Sequence, residues 1–131
     1  MAQTAQELNK AGLEKSKQKD FKAAIIEFNK AIKADSAYAS AYVNMGIAKF
    51  NLEDYKGALQ AYDKAVSLKP AEAKNYNNRG MAKLKLSDVA GAIADFTKAI
   101  ELDSKYAKAY YNRGIAKYNQ REKEGACADW K

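Results

Sequence analysis

The sequence predicts an all-α protein, a right-handed solenoid of antiparallel helix pairs. Three observations carry that expectation. First, Gly12, Gly46, Gly80 and Gly114 stand at intervals of 34 residues. Second, the residues after each glycine repeat in kind. Ala24, Ala58, Ala92 and Ala126 follow at twelve residues, and the aromatics Phe28, Tyr62, Phe96 and Trp130 at sixteen. Ala31, Ala65 and Ala99 follow the first three at nineteen. Self-similarity at one fixed period of this length marks a stacked repeat array. Third, the 131 residues hold one proline and seven glycines, four of them at the repeat position. Those residues are costly inside helices, so their scarcity is a helical signature.

The repeats open at Ala5, Ala39, Ala73 and Ala107, giving registers 5–38, 39–72, 73–106 and 107–131 in a single domain, the last one incomplete. Residues 1–4 are a short lead-in. Each full register reads as two helices. In the second, Ala39 to Leu52 places Tyr42, Met45, Gly46 and Lys49 on one face, at the i, i+3, i+4, i+7 spacing of a helix. Glu53-Asp54 interrupts it. Asp54 is a good N-cap for the next helix, and Asp20, Asp88 and Glu122 hold the same slot. Tyr55 to Leu68 then gathers Ala58, Leu59, Tyr62, Ala65 and Val66 on a second apolar face. Pro70 cannot continue that helix. Ser36 and Ser104 occupy its slot elsewhere, so those turns rest on Asp-Ser chemistry. Glycine and alanine sit where the paired helices approach most closely, and the aromatic fills the space beyond. No single pair buries both faces, so neighbouring repeats complete the core.

This pattern resembles the tetratricopeptide repeat, a two-helix unit of 34 residues. The shared features are small residues at the eighth, twentieth and twenty-seventh positions, an aromatic at the twenty-fourth and often proline at the thirty-second. It covers residues 5–131, and the Asn-Arg-Gly and Gly-Ala-Cys-Ala-Asp-Trp segments look like bacterial members of the family. Some positions depart from it. The eleventh, commonly tyrosine, is Lys15, Lys49, Lys83 and Lys117, whose stems are expected to pack while the ammonium groups reach water. At the seventh and twenty-third, arginine occurs where aspartate occurs. The expected ion pairs are Arg79–Asp95 and Arg113–Asp129, crossing from first helix to second. The fourth register is nine residues short, leaving Lys123 to Lys131 for its second helix, and no capping helix follows. Its apolar end is expected to seek cover, from further chain, by fraying or by end-to-end association with another copy.

Composition excludes much chemistry. There is no histidine, which removes the commonest general base and metal ligand. Cys127 is the only cysteine and holds a slot filled by Ile25, Leu59 and Ile93, so it reads as a small core hydrophobe. A zinc site is excluded, no glycine-rich phosphate loop is present, and no paired carboxylates stand out. The expectation is a protein that is not an enzyme and needs no cofactor. No apolar run approaches the ~20 residues of a membrane span. Met1 to Asn9 is polar and not a secretory signal, which favours the cytoplasm if Met1 is the natural start. The net charge of +7 is spread along the chain without a basic block. It fits a solvated lysine-rich surface, an acidic peptide partner or, less well, nucleic acid.

In the tetratricopeptide family the first helices line a concave groove, and this resemblance implies the binding positions. The sixth gives an asparagine ladder, Asn44, Asn78 and Asn112, suited to an extended peptide backbone. The ninth gives the apolar Ile47, Met81 and Ile115; the second adds Lys74 and Lys108; the twelfth adds Phe50 and Tyr118. Together they imply a scaffold or adaptor that binds a protein or peptide, possibly acidic. Chaperone-binding members carry a five-residue clamp for a terminal Glu-Glu-Val-Asp. Here the two windows supply Asn9, Leu13, Asn44, Lys74, Asn78 and Val43, Ile47, Asn78, Lys108, Asn112, each matching two positions of five. A clamp of that kind is therefore not expected. The alternatives are a self-assembling module that stacks through its C-terminal end, and RNA binding, which the strict 34-residue spacing disfavours.

Overall fold

A computed structural model describes residues 3–129, with side chains described for residues 3–122. Among the described residues there are seven α-helices and no strand. They are α1 (Ala5–Lys17), α2 (Phe21–Ala34), α3 (Ala39–Asn51), α4 (Tyr55–Leu68), α5 (Ala73–Lys85), α6 (Val89–Leu102) and α7 (Ala107–Asp129). None of them is long and apolar enough to cross a membrane. The chain divides after Pro70 into two compact units, Met1–Pro70 and Ala71–Lys131.

In the first unit α1 packs on α2, α2 on α3 and α3 on α4. Ala24, Phe28, Met45, Ala48 and Ala61 form one buried cluster, closed by Phe21, Ile25, Ile32 and Tyr42. Leu8, Ala31 and Ala41 form a second. In the other unit α5 packs on α6 and α6 on α7, around Ala92, Phe96 and Ala116. The glycine–aromatic spacing has the steric meaning expected. A Cβ at Gly46 would lie 2.5 Å from Cε1 of Tyr62, and one at Gly80 2.6 Å from Cε1 of Phe96. Gly12 meets Phe28 in the same way. Each glycine is a notch that receives a ring edge.

The turns inside the pairs are uniform. Lys19, Glu53 and Ser87 adopt positive φ of 62°, 63° and 68°. The next residue, Asp20, Asp54 or Asp88, sends its N–H back to the carbonyl of Lys15, Lys49 or Lys83, all at 2.9 Å. This is the six-to-one bond of a Schellman closure. The same aspartate then caps the following helix, its carboxylate accepting from the N–H of Ala23, Gly57 or Gly91. One residue ends one helix and starts the next. Between pairs, Asp35 and Asp103 accept from the N–H two residues on, as the Asp-Ser turns required. Tyr42 and Tyr110 donate their hydroxyls to the carbonyls of Ser36 and Ser104. Thr4 and Glu7 form a capping box on α1, so the lead-in is part of the fold.

The fourth register departs from expectation. No second helix turns back at Glu122; α7 runs unbroken from Ala107 to Asp129. The physical reason is local. Arg121-Glu122 stands where the other registers have a residue in the left-handed region followed by aspartate. Glutamate is not among the good N-caps, and nothing favours a helix break there. The expected Arg113–Asp129 pair fails for the same reason, since both residues lie on one helix; the Asp129 side chain is outside the described residues. Arg113 instead donates to Oγ1 of Thr97 at 3.4 Å and lies over the Tyr110 ring.

Candidate functional site

The Arg79–Asp95 pair forms as expected and fixes α5 against α6. Nε of Arg79 donates to Oδ2 of Asp95 at 2.9 Å, and a second guanidinium nitrogen donates to Oδ1 at 2.8 Å. Asp95 is buried, and Lys83 adds a further ion pair at 3.1 Å. Lys83 thus points inward to a carboxylate rather than out to water. With Arg79 and Lys83 held on the α6 side, the opposite side of α5 is left to line a cleft.

That cleft has a volume of about 500 Å³. It is lined by Lys74, Asn77, Asn78 and Met81 of α5, by Tyr106, and by Ala107, Lys108, Tyr111 and Asn112 of α7. None of the lining residues carries a carboxylate. The two lysines are exposed, and Met81 also packs on the Ala92–Phe96–Ala116 core. Asn77 is the hub. Its carbonyl oxygen accepts from Nδ2 of Asn112 at 3.1 Å, and its own Nδ2 donates to the Tyr106 hydroxyl at 3.5 Å. Burial raises the pKa of that phenol, the Asn77 hydrogen bond lowers it, and the Asp103 charge raises it; burial prevails, so the hydroxyl keeps its proton.

Asn78 differs from its counterparts. Asn112 is tied to Asn77, 35 residues earlier; in the first unit Asn44 donates to Oδ1 of Asn9, again 35 earlier, at 3.0 Å. The residue at that spacing before Asn78 is Val43, which has no acceptor to offer. Nδ2 of Asn78 is buried and has no hydrogen-bond partner. Such an atom costs about 1–3 kcal/mol until something accepts from it.

Of the ten residues implied as binding positions, Lys74, Asn78, Met81, Lys108 and Asn112 come together in this cleft. Ile115 and Tyr118 lie exposed further along α7 and do not line it. In the first unit Asn44 is engaged with Asn9, and Ile47 is half-buried. Phe50 packs edge-on against Tyr55, with ring centroids 5.1 Å apart. Sequence reasoning did not single out Asn77, Tyr106, Ala107 and Tyr111. Asn77 and Tyr111 hold the fifth position of their registers, on the same inner face, and could have been found there. Tyr106 and Ala107 bracket the start of α7 and are brought in by the turn before it.

Comparison with known proteins gives the class. Tetratricopeptide repeat family models match residues 6–38 and 39–71, and a TPR repeat model matches 83–120. The first TPR domain of Spaghetti (RPAP3), solved bound to the HSP90 peptide SRMEEVD, is 25% identical. It superposes with a TM-score of 0.87 over 89% of this chain and 93% of its own. The first TPR domain of human RPAP3 is 26% identical, with a TM-score of 0.88 over 92% and 95%. The Arabidopsis OM64 TPR domain is 26% identical, with a TM-score of 0.85 over 88% and 95%. No curated protein sequence matches the chain. The chain is thus built of tetratricopeptide repeats, and its fold is the all-α solenoid of that family.

Proposed function

We propose that the chain is a non-enzymatic interaction scaffold, and that the cleft between α5 and α7 takes an extended, acidic peptide segment of a partner protein. The observation that carries this is the unpartnered amide of Asn78 in the wall of a cleft flanked by Lys74 and Lys108. A peptide carbonyl is the acceptor that amide lacks. A carboxylate side chain suits the two ammonium groups. Met81 and Tyr111 supply apolar surface beside them. The Spaghetti domain binds an acidic peptide, which supports the class of ligand. Only two of five clamp positions are matched in this chain, so recognition here rests on peptide side chains and backbone rather than on a gripped terminal carboxylate.

Fluorescence anisotropy with an acidic peptide library tests the reading, each peptide made with a free and an amidated C-terminus. Binding is expected to be salt-sensitive and nearly indifferent to amidation. Lys74→Ala with Lys108→Ala is expected to weaken it about tenfold or more, because charge-assisted hydrogen bonds are worth about 1.5–3 kcal/mol. Unchanged affinity in that double variant would falsify the acidic preference. Unchanged affinity in Asn78→Ala removes Asn78 from the site.

A further inference from the structure

Three glycines of the repeat position are filled notches, and the fourth is empty. Gly12, Gly46 and Gly80 each receive an aromatic ring from the residue sixteen further on. Around Gly114 no heavy atom lies within 4 Å of a Cβ built there. The residue sixteen further on is Trp130, the only tryptophan in the chain. The unbroken α7 carries the chain away from the notch: at 1.5 Å per residue, residue 129 lies about 22 Å along the axis from Gly114. One side of α7 is buried through Ala109 and Ala116, the latter against Ala92 and Phe96. The side bearing Gly114 is open, with Tyr118 63% exposed and Tyr110 44% exposed beside it.

We infer that a second copy of the chain fills this notch: two chains pair their α7 helices antiparallel, and the partner's Trp130 enters at Gly114. Residues 114 and 130 are equidistant from 122. An antiparallel pair centred on Glu122 therefore satisfies both notches at once, as a two-fold interface requires. The same centring holds inside the third register, where Gly80 and Phe96 are equidistant from the cap Asp88. It sets Arg113 beside the partner's Asp129, as Arg79 is set beside Asp95. The contacts that the continuous helix denies within one chain are recovered between two, which is the logic of a domain swap. The interface differs from end-to-end stacking of repeats, because it requires the segment 123–131 of each copy.

Sedimentation equilibrium of the full chain over a concentration series tests this, with reductant present to keep Cys127 from cross-linking. A reversible dimer is expected. Trp130 emission is expected to move to the blue as the dimer fills, since no other tryptophan contributes. Gly114→Leu and Trp130→Ala are each expected to weaken association at least tenfold. Circular dichroism is expected to show the monomers still helical, because Gly114 touches nothing in its own chain. Mixing the two variants restores one intact Gly114–Trp130 joint and is expected to recover a heterodimer. A monomer at all concentrations overturns the inference, whether its tryptophan is exposed or buried. So does a dimer that both variants leave unchanged.

Discussion

Asp95 is buried with two cations on it, and this decides how the three residues respond to mutation. Removing Asp95 leaves Arg79 and Lys83 half-buried and unpaired, a loss of about 3 kcal/mol or more. Removing Arg79 leaves Lys83 still facing the carboxylate. Asp95→Ala is therefore expected to cost clearly more than Arg79→Ala in urea denaturation, and equal costs would show that Lys83 does not share the load. The repeat glycines give a second contrast. Alanine is about 1 kcal/mol better than glycine inside a helix, so Gly114→Ala, in open space, is expected to stabilise a dilute monomer by up to that amount. Gly80→Ala meets the Phe96 ring and is expected to cost about 1–3 kcal/mol by overpacking. The same substitution at the same register position changes sign because only one notch is filled. Pairing of Arg79 with Asp95 was legible because arginine and aspartate rise and fall together across the registers. The inward turn of Lys83 was not, because the helical wheel gives a direction but no partner.

At the scale of the element, the aspartate caps were legible and the turns they complete were not. Asp20, Asp54 and Asp88 announce a helix start by residue type. That Lys19, Glu53 and Ser87 adopt positive φ is hidden, because none of them is the glycine that usually marks the position. They are held left-handed by the two helices they join. Glu53→Gly relieves that strain and is expected to raise stability by about 0.5–1 kcal/mol in thermal unfolding, whereas Glu53→Val is expected to lower it. The break in the fourth register was misread by treating Glu122 as equivalent to aspartate. Arg121→Gly with Glu122→Asp supplies both missing signals. In that variant α7 is expected to turn at 121–122, giving a monomer whose Trp130 emission is blue-shifted at every concentration. An unshifted spectrum would show that local turn chemistry is not what keeps α7 straight.

For the molecule as a whole, the period of 34 residues made helix number, pairing and core positions legible up to residue 122, because each register repeats the same steric demands. The cleft was half legible. Register positions gave Lys74, Asn78, Met81, Lys108 and Asn112, while Tyr106 and the special state of Asn78 depend on which neighbour is Val and which is Asn. Both units carry a buried phenol, and that gives the chain an alkaline limit. Burial raises the pKa of Tyr62 in the first unit far above its ordinary value, and burial raises that of Tyr106 in the second. A phenol whose folded pKa is raised favours the folded state least where the unfolded chain ionises. Below pH ~10 both states hold the proton and nothing is lost. As pH rises past ~10 the unfolded chain ionises first, and stability falls. For Tyr62 the loss is about 1 kcal/mol at pH 11. Phe28 and Phe96 occupy the same register slot, so Tyr62→Phe fits the first unit without an ionisable group. Urea denaturation at pH 8 and pH 11 is expected to show wild type losing about 1 kcal/mol more than Tyr62→Phe across that interval. Equal losses would assign the alkaline limit to the lysines instead, whose deprotonation in the same range removes the Lys83–Asp95 contact.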